Sequence, residues 1–196
     1  MVGKSLSEMS LEELWMLFPI ILEEHNPMWK EWYLEEEKLI ISSIGNHNIE
    51  RINHIGSTSV NGLIAKPTID ILLEITKDCD LKFLVNMLEE NGYIFENQPQ
   101  KPAPHMMFMK GYTEKGFSEK VFHLHVRYLG DWDELYFRDY LRSHTDISQA
   151  YGELKIALKD KYEHNRDDYT EAKTEFIRKY TTIAKIEFKN KYSPRK

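Results

Sequence analysis

The chain has 196 residues, with 26 Lys and Arg against 32 Asp and Glu and a formal net charge of −6. That acidic balance argues against general nucleic-acid binding. A mean hydropathy of −0.55, with no long apolar run, argues against a membrane-spanning helix. Cys79 is the single cysteine, which forbids an intrachain disulfide and a thiolate-built metal centre. The first ten residues lack the apolar stretch of a secretory leader, so a cytosolic location is expected.

Ser10 and Glu13 form a capping-box pattern that predicts a helix over Leu11 to Phe18, stopped by Pro19. Ile20 to Leu22 reads as a short strand. Asn26-Pro27 predicts a second helix start, and Gly45 its C-terminal stop after Ile44. Ile49 to Ile55 reads as a strand, 56–67 as a connection rich in small and hydroxyl residues, and Thr68 to Ile75 as a β-branched strand. An amphipathic helix is expected over Asp80 to Asn91, ended by Gly92, then a strand over Tyr93 to Glu96. Asn97 to Pro104 carries three proline turn signals. His105 to Lys110 and Lys120 to Tyr128 read as strands of a hairpin. Three helices are expected after that, over 132–143, 146–163 and 167–188, before a frayed basic end.

Strands at uneven spacing followed by helices argue for an α+β fold with a mixed β-sheet, not a doubly wound parallel sheet. Residues 1–130 would form the α/β core, and 131–196 a helical region packed on it.

Three segments carry candidate chemistry. In the first, Gly56 allows close backbone approach, and Ser57, Thr58 and Ser59 offer hydroxyl and amide donors for a phosphate, aided by any helix starting there. A capped turn explains the same residues. In the second, strand alternation puts Thr68, Asp70, Leu72 and Glu74 on one face and Ile69, Ile71, Leu73 and Ile75 on the core face. Asp70 and Glu74 are candidate cation ligands; a solvated sheet face is the simpler account. In the third, His123, His125 and Arg127 share a face, and two imidazoles so placed suit metal ligation or acid–base work. Later in the chain, Arg138 with Arg142 and Tyr169 with Lys173 lie on helix faces where cations can neutralise phosphate.

Asn26-Pro27-Met28-Trp29, His54 to Val60, Ala65 to Ile71, His123 to Val126, Phe137 to Arg142 and Tyr169 to Lys173 together resemble the GrpB family, in order and over roughly residues 20 to 180. The resemblance implies a nucleotidyltransferase-like fold of the DNA polymerase beta superfamily. The superfamily pattern is an apolar residue, Gly-Gly/Ser, a spacer, and then carboxylate-x-carboxylate on a strand. Ile55-Gly56-Ser57 and Asp70 match it, whereas Leu72 stands at the second carboxylate position and Glu74 lies about 7 Å further along the strand. The later strand that usually supplies a third carboxylate carries His123 and His125.

The resemblance therefore implies a metal-dependent transfer of a nucleotidyl group from a nucleoside triphosphate to an acceptor. Asp70, Glu74 and His125 are its candidate catalytic residues. Asp70, His123 and His125 are expected to hold a divalent Mg, Mn or Zn ion, the imidazoles favouring a softer metal. Gly56, Ser57, Thr58, Ser59, Lys66, Arg138 and Lys173 are the expected binding residues for a nucleotide or phosphorylated small molecule. The alternative is an inactive module that binds such a ligand, since two-metal transfer needs carboxylates holding cations about 4 Å apart.

Overall fold

A computed structural model describes residues 4–96, 98, 100–102 and 104–194. Pro99, one of the expected turn prolines, lies outside them. The elements are α1 (Leu11–Leu17), α2 (Met28–Ile44), β1 (Ile49–Ile55), β2 (Thr68–Ile75), α3 (Leu81–Glu90), β3 (Ile94–Glu96), β4 (Met106–Thr113), β5 (Gly116–Tyr128), α4 (Asp133–Ser143), α5 (Thr145–Tyr162), α6 (Arg166–Glu171) and α7 (Thr174–Glu187).

The local signals account for most boundaries. Ser10 Oγ accepts the Glu13 amide at 3.2 Å while the Glu13 carboxylate accepts the Ser10 amide at 2.8 Å, closing the capping box of α1. Asn26 Oδ1 accepts the Met28 amide at 3.0 Å, and Pro27 already has helical dihedrals. Gly45 ends α2 with a φ of +80°. Asp80 caps α3 by accepting the amides of Lys82 and Phe83.

The five strands form one mixed sheet in the order β1-β2-β5-β4-β3. Only β2 and β5 are parallel; the other neighbours are antiparallel. Ile69, Ile71, Leu73 and Ile75 alternate onto one face of β2. They pack with Phe122, Leu124 and Val126 of β5 against Trp29, Tyr33 and Ile40 of α2 and Leu84 and Leu88 of α3. Each such side chain contributes about 1.5–3 kcal/mol by leaving water. On the opposite face a smaller cluster joins Ile55 and Leu72 to Leu135 of α4. The rest of that face lies under α5, α6 and α7, and the gap between is the site described below.

Three expectations are corrected. Ile20 to Leu22 is not a strand: Ile20 is buried and its amide bonds to Glu163, and only Glu23 bridges to Ala65. The last expected helix is two, α6 and α7, parted at Ala172 and Lys173. The basic end is anchored rather than frayed at Lys191 and Tyr192; residues 195 and 196 lie outside the described residues. Tyr192 Oη donates to Asp139 and accepts from Arg138, and Lys191 Nζ donates to Asp139 at 2.6 Å. No helix among the described residues is long and apolar enough to cross a membrane.

Candidate functional site

The parallel pairing of β2 and β5 sets Asp70 directly opposite His123, and Leu72 opposite His125. Because all four point to the face away from α2 and α3, the two separate sequence segments meet there. His123 Nδ1 lies 3.3 Å from Asp70 Oδ1, and His125 Nε2 lies 3.7 Å from the same oxygen.

A fourth side chain joins this group through a bulge. Lys110 of β4 points to the core face, over the rings of Tyr93 and Phe122. Regular alternation would send Tyr112 the same way. The register shifts between Lys110 and Tyr112, at Gly111 with φ +90°, and Tyr112 Oη reaches His123 Nε2 at 2.7 Å. The result is a chain from Asp70 through His123 to Tyr112. In the neutral ring, Nδ1–H donates to Asp70 and Nε2 accepts from Tyr112. Burial pushes the His123 imidazole down despite Asp70, consistent with that neutral form. Burial alone would raise Asp70, but the imidazoles of His123 and His125 beside it outweigh that and hold the carboxyl well below its usual range.

The expected metal centre fits this arrangement poorly. Two ligands on one ion at about 2.1 Å stand about 3.4 Å apart, so either imidazole alone suits a pair with Asp70. Among the described residues, however, no group of three His, Cys, Asp or Glu side chains is arranged to share an ion. Both nitrogens of His123 already have partners.

Glu74 is placed elsewhere. It is fully buried, its carboxylate paired with Arg51 Nε and Nη2 and accepting the Gly130 amide at 3.0 Å. Accepting three hydrogen bonds and absent from the cleft lining, it is a structural anion. Arg127 is also withdrawn: it is buried and donates to the carbonyls of Met106 and Val126.

The turn after β1 is a three-residue 3₁₀ element, Ser57–Ser59, too short to supply the expected helix dipole. Thr58 Oγ1 bonds to the Thr68 carbonyl and His54 Nε2, and Ser59 Oγ donates to the Gly56 carbonyl. Those hydroxyls hold the turn together, and only Ser57 of the three presents its hydroxyl to the cleft. Gly56 has φ +68°, and a Cβ there would collide with the Asp70 carboxylate, coming within 2.9 Å of Cγ. Gly56→Ala is expected to cost about 1–3 kcal/mol from the backbone alone. It should also displace Asp70, read as a lower thermal midpoint together with a shifted His123 imidazole resonance. A variant with unchanged midpoint and resonance would refute this close packing.

The cleft encloses about 970 Å³ between the sheet face and α4–α7. At the end where β2 and β5 begin, Lys66, Lys155, Arg166 and Lys173 line it together with Ser57 and Asp70. Asp131, Asp133 and Glu134, which follow the end of β5, line the other end. Burial and the neighbouring cations Arg166 and Lys173 lower Lys66 to about 8. Burial, against the pull of Asp70, lowers Lys173 to about 8. Burial and Lys173 lower Lys155 to about 7. Buried Tyr169 Oη and Thr181 Oγ1 line the same cleft without a hydrogen-bond partner among the described residues.

Arg138 touches the cleft wall, but its guanidinium serves the fold. It donates to Asp139, to Asn53 Oδ1, to the His54 carbonyl and to Tyr192. Arg142 likewise donates twice to the Ser59 carbonyl. Lys155, Arg166 and Arg178 line the cleft and were not among the residues expected from the sequence. Lys155 had a signal: it shares the buried stripe of α5 with Ser148, Tyr151 and Gly152, an odd place for a lysine. Arg166 follows the Asn165 cap of a helix whose separate existence nothing in the sequence announces.

A family model described as GrpB protein matches residues 19–182. The chain is 35% identical over 163 residues to the glutamate-rich protein GrpB of Alkalihalophilus pseudofirmus, covering 81% of this chain and 91% of that one. It is 37% identical over 153 residues to a UPF0157 protein of Pseudomonas aeruginosa, covering 78% of this chain but only 62% of that relative's length. A crystal structure of the conserved protein GrpB from Enterococcus faecalis superposes with a TM-score of 0.75 at 28% identity, over 86% of this chain and 99% of that one. With a family match running from just after α1 into α7 and relatives alike over most of its length, the chain belongs to the GrpB family.

Proposed function

We propose that the cleft binds a nucleoside polyphosphate or a similarly phosphorylated small molecule. The phosphates would lie at the cationic end, on Ser57, Lys66, Lys155, Arg166 and Lys173. The observation that carries this reading is the gathering of four cations around one end of a cleft where Asp70 is the facing carboxylate. Ammonium and guanidinium groups brought this close repel one another, and a polyanion relieves that repulsion. The unpartnered Tyr169 and Thr181 hydroxyls add support, since buried donors seek an acceptor.

The sharper reading is nucleotidyl transfer. It draws on the Ile55-Gly56-Ser57 turn leading to Asp70 and on the imidazoles beside that carboxylate. In that reading an acceptor hydroxyl oxygen bonds to the α-phosphorus as the bond to pyrophosphate breaks, and the hydroxyl proton passes to His125. His125 keeps 22% of its side-chain surface open and stands beside the anionic Asp70, a suitable setting for a general base. A Mg, Mn or Zn ion would come in on the ligand's phosphates, with Asp70 as the carboxylate in reach. It would neutralise phosphate charge there, without a three-ligand cage from the protein.

One observation favours binding without turnover. Leu72, at the second carboxylate position, is fully buried between Ile55 and Leu135, and Glu74 is committed to Arg51. Pyrophosphate release from nucleoside triphosphates, measured across a set of hydroxyl acceptors, separates the readings. Under transfer, the wild type releases pyrophosphate and Asp70→Asn slows it by about 100-fold or more. Nucleotide binding with no release under any acceptor supports the binding module. An unchanged rate in Asp70→Asn would remove Asp70 from the chemistry.

A further inference from the structure

Lys155 projects from α5 into the cationic end of the cleft and is 3% exposed. Its Nζ donates to Ser57 Oγ at 3.1 Å and to the Ile64 carbonyl. The Tyr151 ring of its own helix lies 4.9 Å from the ammonium. Lys173, at the junction of α6 and α7, faces it as a like charge; Lys66, Arg166 and Asp70 line the same end of the cleft. A neutral amine is satisfied by two such acceptors. A protonated one carries a third N–H and a full charge, and among the described residues no carboxylate is in contact with it; Asp70, the carboxylate at this end, is held by His123 and His125. An anion in the cleft supplies both the acceptor and the charge.

We propose that Lys155 is a proton-coupled anion-binding residue: it tethers the Ser57 turn to α5 and takes up a proton when a phosphate group enters, donating its third N–H to that phosphate. This rests on the phosphate-binding reading of the cleft and assigns that reading its pH response. The sign follows from linkage. A group that is neutral in the free cleft and charged in the complex makes affinity fall as pH rises above its free value. Burial and Lys173 hold that value at about 7. Lys66 and Lys173, each at about 8, add a similar loss one unit higher.

The test is calorimetric titration with inorganic tripolyphosphate at three pH values between 6.5 and 8.5, each in two buffers of different ionisation enthalpy. Wild type, Lys155→Arg and Lys155→Gln are compared, so proton changes on the ligand and on the other lysines cancel. Arginine stays charged throughout, and glutamine keeps two N–H donors without charge. Wild type should take up about one proton more than Lys155→Arg at the upper end of the range. Its affinity should fall about 20-fold more than that variant's across the range. Lys155→Gln should bind more weakly than wild type at pH 6.5 and approach it at pH 8.5. Wild-type binding with the same proton uptake and pH profile in both variants would overturn the role of Lys155 alone. No tripolyphosphate binding by the wild type at any pH would overturn the phosphate-binding reading and this inference with it.

Discussion

Replacing Glu74 with alanine should lower stability by about 3–5 kcal/mol, among the largest losses available to a single side chain of this protein. The carboxylate has no exposed surface, and it accepts from Arg51 twice and from the Gly130 amide once. Its removal leaves a guanidinium three-quarters withdrawn from water and a buried amide, both without their acceptor. Arg51 also donates to the Gly130 carbonyl at 2.8 Å. The loss should therefore spread from β1 and β2 to the segment that leads into α4. Urea unfolding measures the first effect. Tripolyphosphate affinity of the folded variant, measured well below its unfolding midpoint, tests the second: it should match wild type, because Glu74 lies outside the cleft. A variant that keeps its stability but loses its ligand would return Glu74 to the site.

Glu74 also shows how far strand alternation reaches. Parity placed Asp70, Leu72 and Glu74 on the right face, and the parallel register of β2 and β5 brought Asp70 to His123. Parity does not say what covers each position along the strand. Arg51 and Gly130 cover Glu74, Leu135 covers Leu72, and the open cleft is left to Asp70. Strand ends and caps were legible because they are local: β1 and β2 fall where their β-branched alternation predicts. Tyr112 was not legible, since its face depends on the positive φ of Gly111, where the pairing with β5 slips by three residues. The break at Ala172 and Lys173 contains neither Gly nor Pro, so no backbone preference marks it. Tyr169, Lys173 and Arg166 nevertheless line the cleft because of it. The hydroxyls of Thr58 and Ser59 look like phosphate ligands in sequence, yet they bond to backbone carbonyls, Thr58 to Thr68 at the start of β2 and Ser59 to Gly56.

The largest pH effect on stability should come from the cleft lysines, and it runs opposite to the usual acid-base pattern of a surface. A lysine whose folded value is depressed binds fewer protons in the folded than in the unfolded chain. Stability then rises with pH through the window between the two values. For Lys155 that window extends from about 7 to its ordinary value of 10.5. The penalty is fully present below about 7 and relieved as pH rises. Between pH 7 and 9.5 this one buried group should add roughly 3 kcal/mol to the unfolding free energy. Lys66 and Lys173 act in the same direction from about 8, each with smaller effect because its value lies closer to that of an ordinary lysine. The window closes near 9.5, because burial raises Tyr169 to about 12 and Tyr151 higher still, and both favour the unfolded chain once its tyrosines ionise. Urea unfolding at half-unit steps should show a rising slope in wild type and a much flatter one in Lys155→Met. The methionine variant should also be the more stable protein at pH 7, since an apolar side chain replaces an amine whose burial costs free energy whether it keeps its proton or gives it up. Saturating tripolyphosphate should flatten the wild-type slope as well, because the bound anion keeps the lysines charged in the folded state. A wild-type slope that is flat or falling across this range would show that these lysines are solvated, and that the cleft does not hold its cations against water.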